Sequence, residues 1–239
     1  MHLVLDIGNT RVKASLFEND IIIDYYHCTI DVDSLEEFVN GRNVSGGMWS
    51  SVRPISSTFE NWLISKGLTR LTWQTPIPLK NLYSTPKTLG MDRIAAAVGA
   101  WSLKPWNDIL IIDAGTAITY DFVSSKGEYL GGNISPGKDL RFKSLHEYTG
   151  ALPLVSEKGE IPLIGDSTDA AIRSGVINGI RNEVSGFVSS MREIYPLLLV
   201  FLTGGDMELL VKTEKNGIFA TENLVIQGLN SIINYNEKG

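Results

Sequence analysis

Two stretches of this chain carry the same signature: an apolar strand runs into Asp-x-Gly and a threonine-bearing turn, and a second strand follows. The first stretch is Leu3-Val4-Leu5-Asp6-Ile7-Gly8-Asn9-Thr10-Arg11-Val12-Lys13. Leu3, Val4 and Leu5 form the short apolar run of a buried strand. Beyond the turn, Val12, Ala14 and Leu16 alternate with Arg11, Lys13 and Ser15, the period of a half-buried strand. Gly8 allows a tight turn and lets a ligand approach the backbone closely. The turn therefore joins strand to strand, unlike the phosphate loops that lead into a helix. The second stretch, Ile109-Leu110-Ile111-Ile112-Asp113-Ala114-Gly115-Thr116, is followed by an alternating strand over residues 118–123. Each copy then turns into a third strand, at Asn19-Asp20 before Ile21 and at Lys126-Gly127 before Tyr129.

Such a turn suits a triphosphate that arrives with Mg2+. Backbone N–H groups, small amide or hydroxyl donors and one lysine hold phosphates, and a strand-end carboxylate holds hydrated Mg2+. One copy alone reads equally well as a hairpin with a polar turn, because Asn and Gly favour turns. Two copies point to two similar α/β domains facing one central cleft. The arrangement resembles the actin-like ATPase and sugar-kinase superfamily, in which two ribonuclease-H-like domains, each a mixed sheet flanked by helices, grip a nucleotide. The expected domains are residues 1–90 and 91–239, with a closing helix at 224–234 that packs back on the first.

The 239 residues, 43% hydrophobic, suffice for one core or two small ones. A formal net charge of −6 and scattered lysines argue against a nucleic-acid partner. The single cysteine, Cys28, excludes an internal disulfide framework and any multi-cysteine zinc site. His2, His27 and His146 lack metal-ligand spacing. No run of the sequence is long and apolar enough to span a bilayer, and the first apolar run is broken by Asp6, so the expectation is a cytoplasmic protein without a signal peptide or membrane contact.

Periodicity predicts helices over 34–40 (capped by Asp33), 54–66, 91–103, 138–148, 168–194, 207–212 and 224–234. Further strands are expected over 46–52, 71–74 and 197–202, with a weak one near Ile218. Residues 75–90 and 150–165 read as irregular, and the first of these long loops is a functional candidate. The alanines of 91–103 predict close packing against a neighbour. Gly175, Gly179 and Gly186 interrupt the longest helix at about 1 kcal/mol each relative to alanine. Tight helix packing, in the chain or at a dimer interface, would justify them.

Gly90-Met91-Asp92-Arg93 stands where the first long loop meets a helix. An Asp in a first turn is ordinary. Here it also suits a general base for a substrate hydroxyl, with Arg93 holding an anionic group. Gly132 to Lys138 satisfies G-x-x-x-x-G-K, but Asp139 replaces the Mg2+-binding Ser or Thr and Pro136 removes an N–H, so it is not a P-loop. Thr203-Gly204-Gly205 after an apolar strand is either a plain turn or a place where backbone approaches a nucleotide.

The ordered set is more specific than any member. Asp6-x-Gly-Asn-Thr-x-x-Lys13, Tyr83-x-x-Pro86 into Gly90-x-Asp92-Arg93, Asp113-x-Gly-Thr-Ala-x-Thr119 and Gly131-Gly-x-Ile-x-Pro-Gly137 are followed by Leu152-Pro153, Thr168-x-x-Ala171-Ile172-x-x-Gly175 and Thr203-Gly-Gly205. Over nearly its whole length the chain resembles the type III pantothenate kinases. The resemblance implies a homodimer that phosphorylates the primary hydroxyl of pantothenate with ATP, the first step of coenzyme A biosynthesis. It also implies Mg2+ and a monovalent cation, K+ or NH4+, as cofactors. By the same resemblance Asp6, Ile7, Gly8, Asn9, Thr10, Arg11, Val12 and Lys13 line the phosphates, with Asp6 on Mg2+ through water, and Thr116 touches ATP. Asp92 becomes the catalytic base. Tyr83, Gly90, Met91, Asp92, Arg93 and Thr168 hold pantothenate, and Asp113 binds the monovalent cation. Met91, Ser167 and Arg53 depart from the family's usual residues. The competing readings are a non-catalytic nucleotide-binding regulatory relative and an actin-like-fold kinase with another small acceptor.

Overall fold

The structure, a computed structural model, describes residues 1–9, 11–29, 31–211 and 218–238. It divides into two compact units. The first comprises residues 1–106, 123–131 and 223–239, and the second residues 107–122 and 132–222.

In the first unit, strands β1 (His2–Ile7), β2 (Val12–Glu18), β3 (Ile21–Cys28), β4 (Gly46–Ser51) and β5 (Leu68–Arg70) form a sheet of order β3-β2-β1-β4-β5. The β1–β2 and β2–β3 pairs are antiparallel and the β1–β4 and β4–β5 pairs parallel, so the sheet is mixed. β1 sits in the middle, and Leu3, Val4 and Leu5 are all fully buried, as a strand covered on both faces requires. Leu3, Leu5 and Ile7 join a core with Leu35 of helix α1 (Val32–Val39) and with Phe59 and Leu63 of helix α2 (Ser57–Ser65).

Helix α3 (Met91–Leu103) packs against the closing helix α7 (Leu224–Lys238), and α7 also lies on β1, β2 and β4. The seam is glycine on both sides. A Cβ on Gly99 would run into the Leu224 carbonyl, and one on Gly228 into the Ala95 carbonyl. The close packing expected from the alanine run of α3 is thus met, with the glycines allowing the backbones to touch.

The second unit holds β7 (Ile109–Ala114), β8 (Ala117–Val123), β10 (Leu199–Thr203), β11 (Ile218–Ala220) and the end of β9 (Glu128–Pro136). The order is β11-β10-β7-β8-β9, with β10 parallel to both β7 and β11. The start of β9 lies in the first unit, where β6 (Lys80–Asn81) pairs with it in parallel. Helix α4 (Lys138–Glu147), helix α5 (Thr168–Ile194) and the short α6 (Glu208–Val211) complete the unit. Val176, Ile177, Ile180, Val184 and Val188 bury one stripe of α5 against β7, β8 and β10.

Several local expectations change. The cap of α1 is Asp31, whose carboxylate accepts the N–H groups of Asp33 and Ser34; Asp33 sits inside the first turn. α2 starts later than expected because Ser56 caps it, accepting the Phe59 N–H. The strand expected over 71–74 lies earlier, at Leu68–Arg70, where it pairs with β4. Lys212, expected to end a helix, falls outside the described residues. In α5 no Cβ on Gly175 or Gly186 would meet anything within 4 Å, so packing within the chain does not explain those glycines.

Candidate active site

In the first unit, Asp6 lies at the end of β1 between two neighbours. In register it stands opposite Lys13 of β2 and Ser50 of β4. The Ser50 hydroxyl donates to Asp6 Oδ1 at 3.3 Å. Burial, and next the charge of Asp92, push the Asp6 carboxyl up from 3.8 to about 6; Lys13 and the Ser50 hydrogen bond pull the other way. Part of the residue's surface is open, but loss of hydration at the carboxyl outweighs both stabilising partners. Asp6 and Asp92 therefore belong to one electrostatic cluster, although 86 positions separate them in sequence. Sequence reasoning missed Ser50; its only trace is the first of two serines that end the strand after Met48 and Trp49.

The turn after Asp6 is closed by the Gly8 N–H donating to the Arg11 carbonyl at 3.0 Å, so this donor is engaged within the hairpin. Ile7 and Val12 are fully buried and face each other in register, so their side chains belong to the core and only their backbone can meet a nucleotide. Asn9 and Arg11 are exposed, and Thr10 lies outside the described residues.

Gly90 caps α3 with no side chain of its own. The Asp92 carboxylate folds back over it, so a Cβ on Gly90 would run into Asp92 Oδ1, which also accepts the Arg93 N–H at 2.9 Å. An acidic group in a helix's first turn is favoured by the helix dipole. Arg93 is buried at 6% exposure, and its guanidinium carbon lies 5.8 Å from the Tyr83 ring centroid. Tyr83 lies over Gly131, whose φ is +108° and whose Cβ would come within 2.9 Å of the ring. Met91 opens α3 and lines a cavity of about 380 Å³ with Trp73 and Lys87. Of the expected residues, the structure thus brings Asp6, Lys13 and Asp92 into one cluster and Tyr83 and Arg93 into one stack.

In the second unit, Asp113 ends β7 opposite Thr203. Gly204, at φ +92°, presses so close that a Cβ would meet Asp113 Oδ1 and the Ala114 carbonyl. The Asp206 N–H donates to the Ala114 carbonyl at 2.9 Å, and the Gly137 N–H donates to the Thr116 carbonyl at 3.0 Å. Three turns therefore converge, carrying Asp113 to Thr116, Gly204 to Asp206, and Gly137 to Lys138. Lys138 is buried; it pairs with Glu157, and its Nζ lies 3.0 Å from Asp206 Oδ1. An ammonium held by two carboxylates is not a phosphate-loop lysine, in line with the rejected P-loop. This cluster was not legible in sequence, since its acids lie 19 and 68 residues from the lysine. Thr168, exposed, begins α5, and Ser167 caps that helix by accepting the Ala170 N–H at 3.4 Å, a role that Asn would fill equally well.

Among the described residues, no group of three or more His, Cys, Asp or Glu could hold a metal. Asp6, with Asp92 and Lys13 nearby, instead fits a hydrated Mg2+ held by one or two carboxylates plus substrate phosphates. Asp113, beside main-chain carbonyls, offers the hard oxygen donors that a monovalent cation takes.

A family model described as type III pantothenate kinase matches residues 2–190. The type III pantothenate kinase of Phocaeicola vulgatus is 45% identical over 241 residues, covering all of both chains. Among solved structures, a Baf family transcriptional activator from Campylobacter jejuni superimposes with a TM-score of 0.65 at 22% identity, covering 99% of this chain and 100% of that one. The activator of 2-hydroxyisocaproyl-CoA dehydratase from Clostridium difficile, with bound ADPNP, gives 0.58 at 13% identity, covering 99% and 96%. The two structural likenesses establish the actin-like fold.

Proposed function

The chain belongs to the type III pantothenate kinases, ATP-using enzymes of coenzyme A biosynthesis, and from that premise we propose how its residues divide the work. The observation that carries the reading is the cluster in the first unit: the charge of Asp92 reaches the Asp6 carboxyl and helps to push it up, with Lys13 alongside pulling the other way.

Asp92 accepts the proton of the pantothenate primary hydroxyl as that oxygen bonds to the γ-phosphorus; the bond to the bridging oxygen breaks and ADP leaves. Arg93 pairs with the pantothenate carboxylate, held in place by the Tyr83 ring. Met91 and Gly90 shape the acceptor pocket, and Thr168 touches pantothenate. Lys13, with Asn9, Thr10, Arg11 and the backbone of Ile7 and Val12, holds phosphates, and Gly8, whose N–H closes the turn on the Arg11 carbonyl, lets them approach the turn closely. Mg2+, when bound, neutralises the developing phosphoryl charge, and Asp6 holds its water shell. Asp113 holds K+ or NH4+, and Thr116 contacts ATP. We further propose a cytoplasmic homodimer. No helix among the described residues is long and apolar enough to cross a membrane.

The test is a coupled assay with ATP, Mg2+ and pantothenate, with and without K+, and mass spectrometry of the product. Phosphopantothenate formed only with K+ supports the reaction and the Asp113 site together. Product without any monovalent cation removes the Asp113 role. No product from folded, ATP-binding protein overturns the reading in favour of another acceptor or a non-catalytic module.

A further inference from the structure

A closed circuit of contacts in the second unit surrounds the turn from Asp113 to Thr116. On one side the Ala114 carbonyl accepts the Asp206 N–H at 2.9 Å, and the Asp206 carboxylate meets the Lys138 ammonium at 3.0 Å. On the other side the Thr116 carbonyl accepts the N–H of Gly137, the residue before Lys138, at 3.0 Å. Lys138 thus joins the two sides. Its side chain is buried, and its other carboxylate neighbours among the described residues are Glu157 and, at 4.0 Å, Asp139. Burial pulls the ammonium's pKa down, but the hydrogen bonds and charges of Glu157 and Asp206 outweigh it and hold the pKa above its ordinary value, so the link stays charged. Inside the circuit, Asp113 Oδ1 and the Ala114 carbonyl converge on Gly204, where a Cβ would run into both. Gly204 belongs to the same turn as Asp206, which the Met207 N–H closes on the Gly204 carbonyl at 3.3 Å.

A site prefers a larger cation over a smaller one when its oxygens cannot draw in around the smaller. The Asp113 carboxylate and the Ala114 carbonyl ride on a turn whose freedom to contract depends on what is packed against it. A charged pair holds such packing more firmly than a neutral hydrogen bond does. We propose that Lys138 sets the size selectivity of the Asp113 cation site: by clamping Asp206 it keeps Gly204 wedged against Asp113 and Ala114, and so keeps their oxygens spaced for K+ rather than for Na+. The inference rests on the reading that Asp113 holds a monovalent cation. Lys138 acts in it through Asp206, as a positioning residue and not as a ligand.

The test reads cation binding from thermal unfolding of the protein with Mg2+ and a non-hydrolysable ATP analogue, titrated with KCl or NaCl while tetramethylammonium chloride keeps the ionic strength constant. A cation that binds the folded chain raises its melting temperature, and the dependence on concentration gives an apparent affinity. The wild type should bind K+ more tightly than Na+, and Asp113→Asn should lose both responses. Lys138→Met should bring the two affinities together. Asp206→Ala, which leaves Lys138 paired with Glu157, should do the same and keeps the test open if the lysine variant does not fold. Glu157→Gln changes the local charge but leaves the bond between Lys138 and Asp206, so it should shift both affinities alike and preserve their ratio. A wild-type ratio in Lys138→Met and Asp206→Ala overturns the inference while leaving Asp113 as the cation site, as does a wild type that binds K+ and Na+ equally. A ratio lost in Glu157→Gln assigns the preference to charge instead of the clamp and overturns it too. No response to either salt in the wild type, or full responses in Asp113→Asn, overturns the Asp113 reading and the inference with it.

Discussion

Asp6 and Lys13 stand directly opposite each other in the β1–β2 ladder, so a carboxylate and an ammonium project from the same face of one sheet. One cross-strand pair thereby supplies an acceptor for a hydrated cation and a donor for a phosphate. Its position at the end of the central strand follows from the apolar run before it, which is buried on both sides, and from the glycine turn after it.

That pair predicts a pH signature. The Asp6 carboxyl sits near 6 when folded, against 3.8 as its ordinary value. Between those values the folded state holds a proton that the unfolded state lacks. Its contribution to stability is therefore full below about 3.8 and is lost as pH rises through about 6. Mg2+ with ATP favours the ionised form, so binding near pH 6 should release a proton. Calorimetry in buffers of different ionisation enthalpy should detect that release in the wild type and not in Asp6→Asn.

Asp92→Asn should lower kcat by about 10²–10⁴ while leaving the melting temperature nearly unchanged, because the substitution removes proton acceptance and keeps shape. It carries a second readout. With the like charge gone, the Asp6 carboxyl should titrate lower, measurable by carbon NMR of the labelled side chain. Unchanged turnover would remove Asp92 from the chemistry; an unmoved Asp6 would remove it from the cluster.

Arg93→Lys tests the substrate side. A buried guanidinium over an aromatic ring presents a planar fork, which lysine cannot reproduce. The KM for pantothenate should rise about tenfold, the cost of one lost charge-assisted bond, with the KM for ATP little changed. A rise confined to ATP would place Arg93 on the nucleotide instead.

What the sequence disclosed depended on how local the signal was. Helices α3 and α5 end where periodicity ends them, and both Asp-x-Gly turns lie between strands as the alternation required. Caps were less legible: Asp31 and Asp33 are chemically equal candidates, and only backbone geometry chooses between them. Contacts between distant segments left almost no trace. Ser50 beside Asp6 depends on parallel register between β1 and β4, and the Lys138–Glu157–Asp206 cluster on how three turns fold together. The Gly99–Gly228 seam is another such case, because a glycine in a helix reads as a defect until its neighbour is known.

That seam gives a sharp contrast between glycines. Gly99→Ala or Gly228→Ala would drive a methyl group into backbone carbonyls that belong to rigid helices and cannot yield as a flexible side chain would. Each should destabilise the protein by about 3 kcal/mol in urea denaturation, the upper range for overpacking. Because α3 carries Asp92 in its first turn, kcat should fall with stability. Gly175→Ala, at a helical site where a Cβ meets nothing within 4 Å, should instead stabilise the folded chain by roughly 0.5–1 kcal/mol through helix propensity. Equal effects at the two kinds of site would mean that the α3–α7 backbones do not touch, and the placement of Asp92 would then need another support.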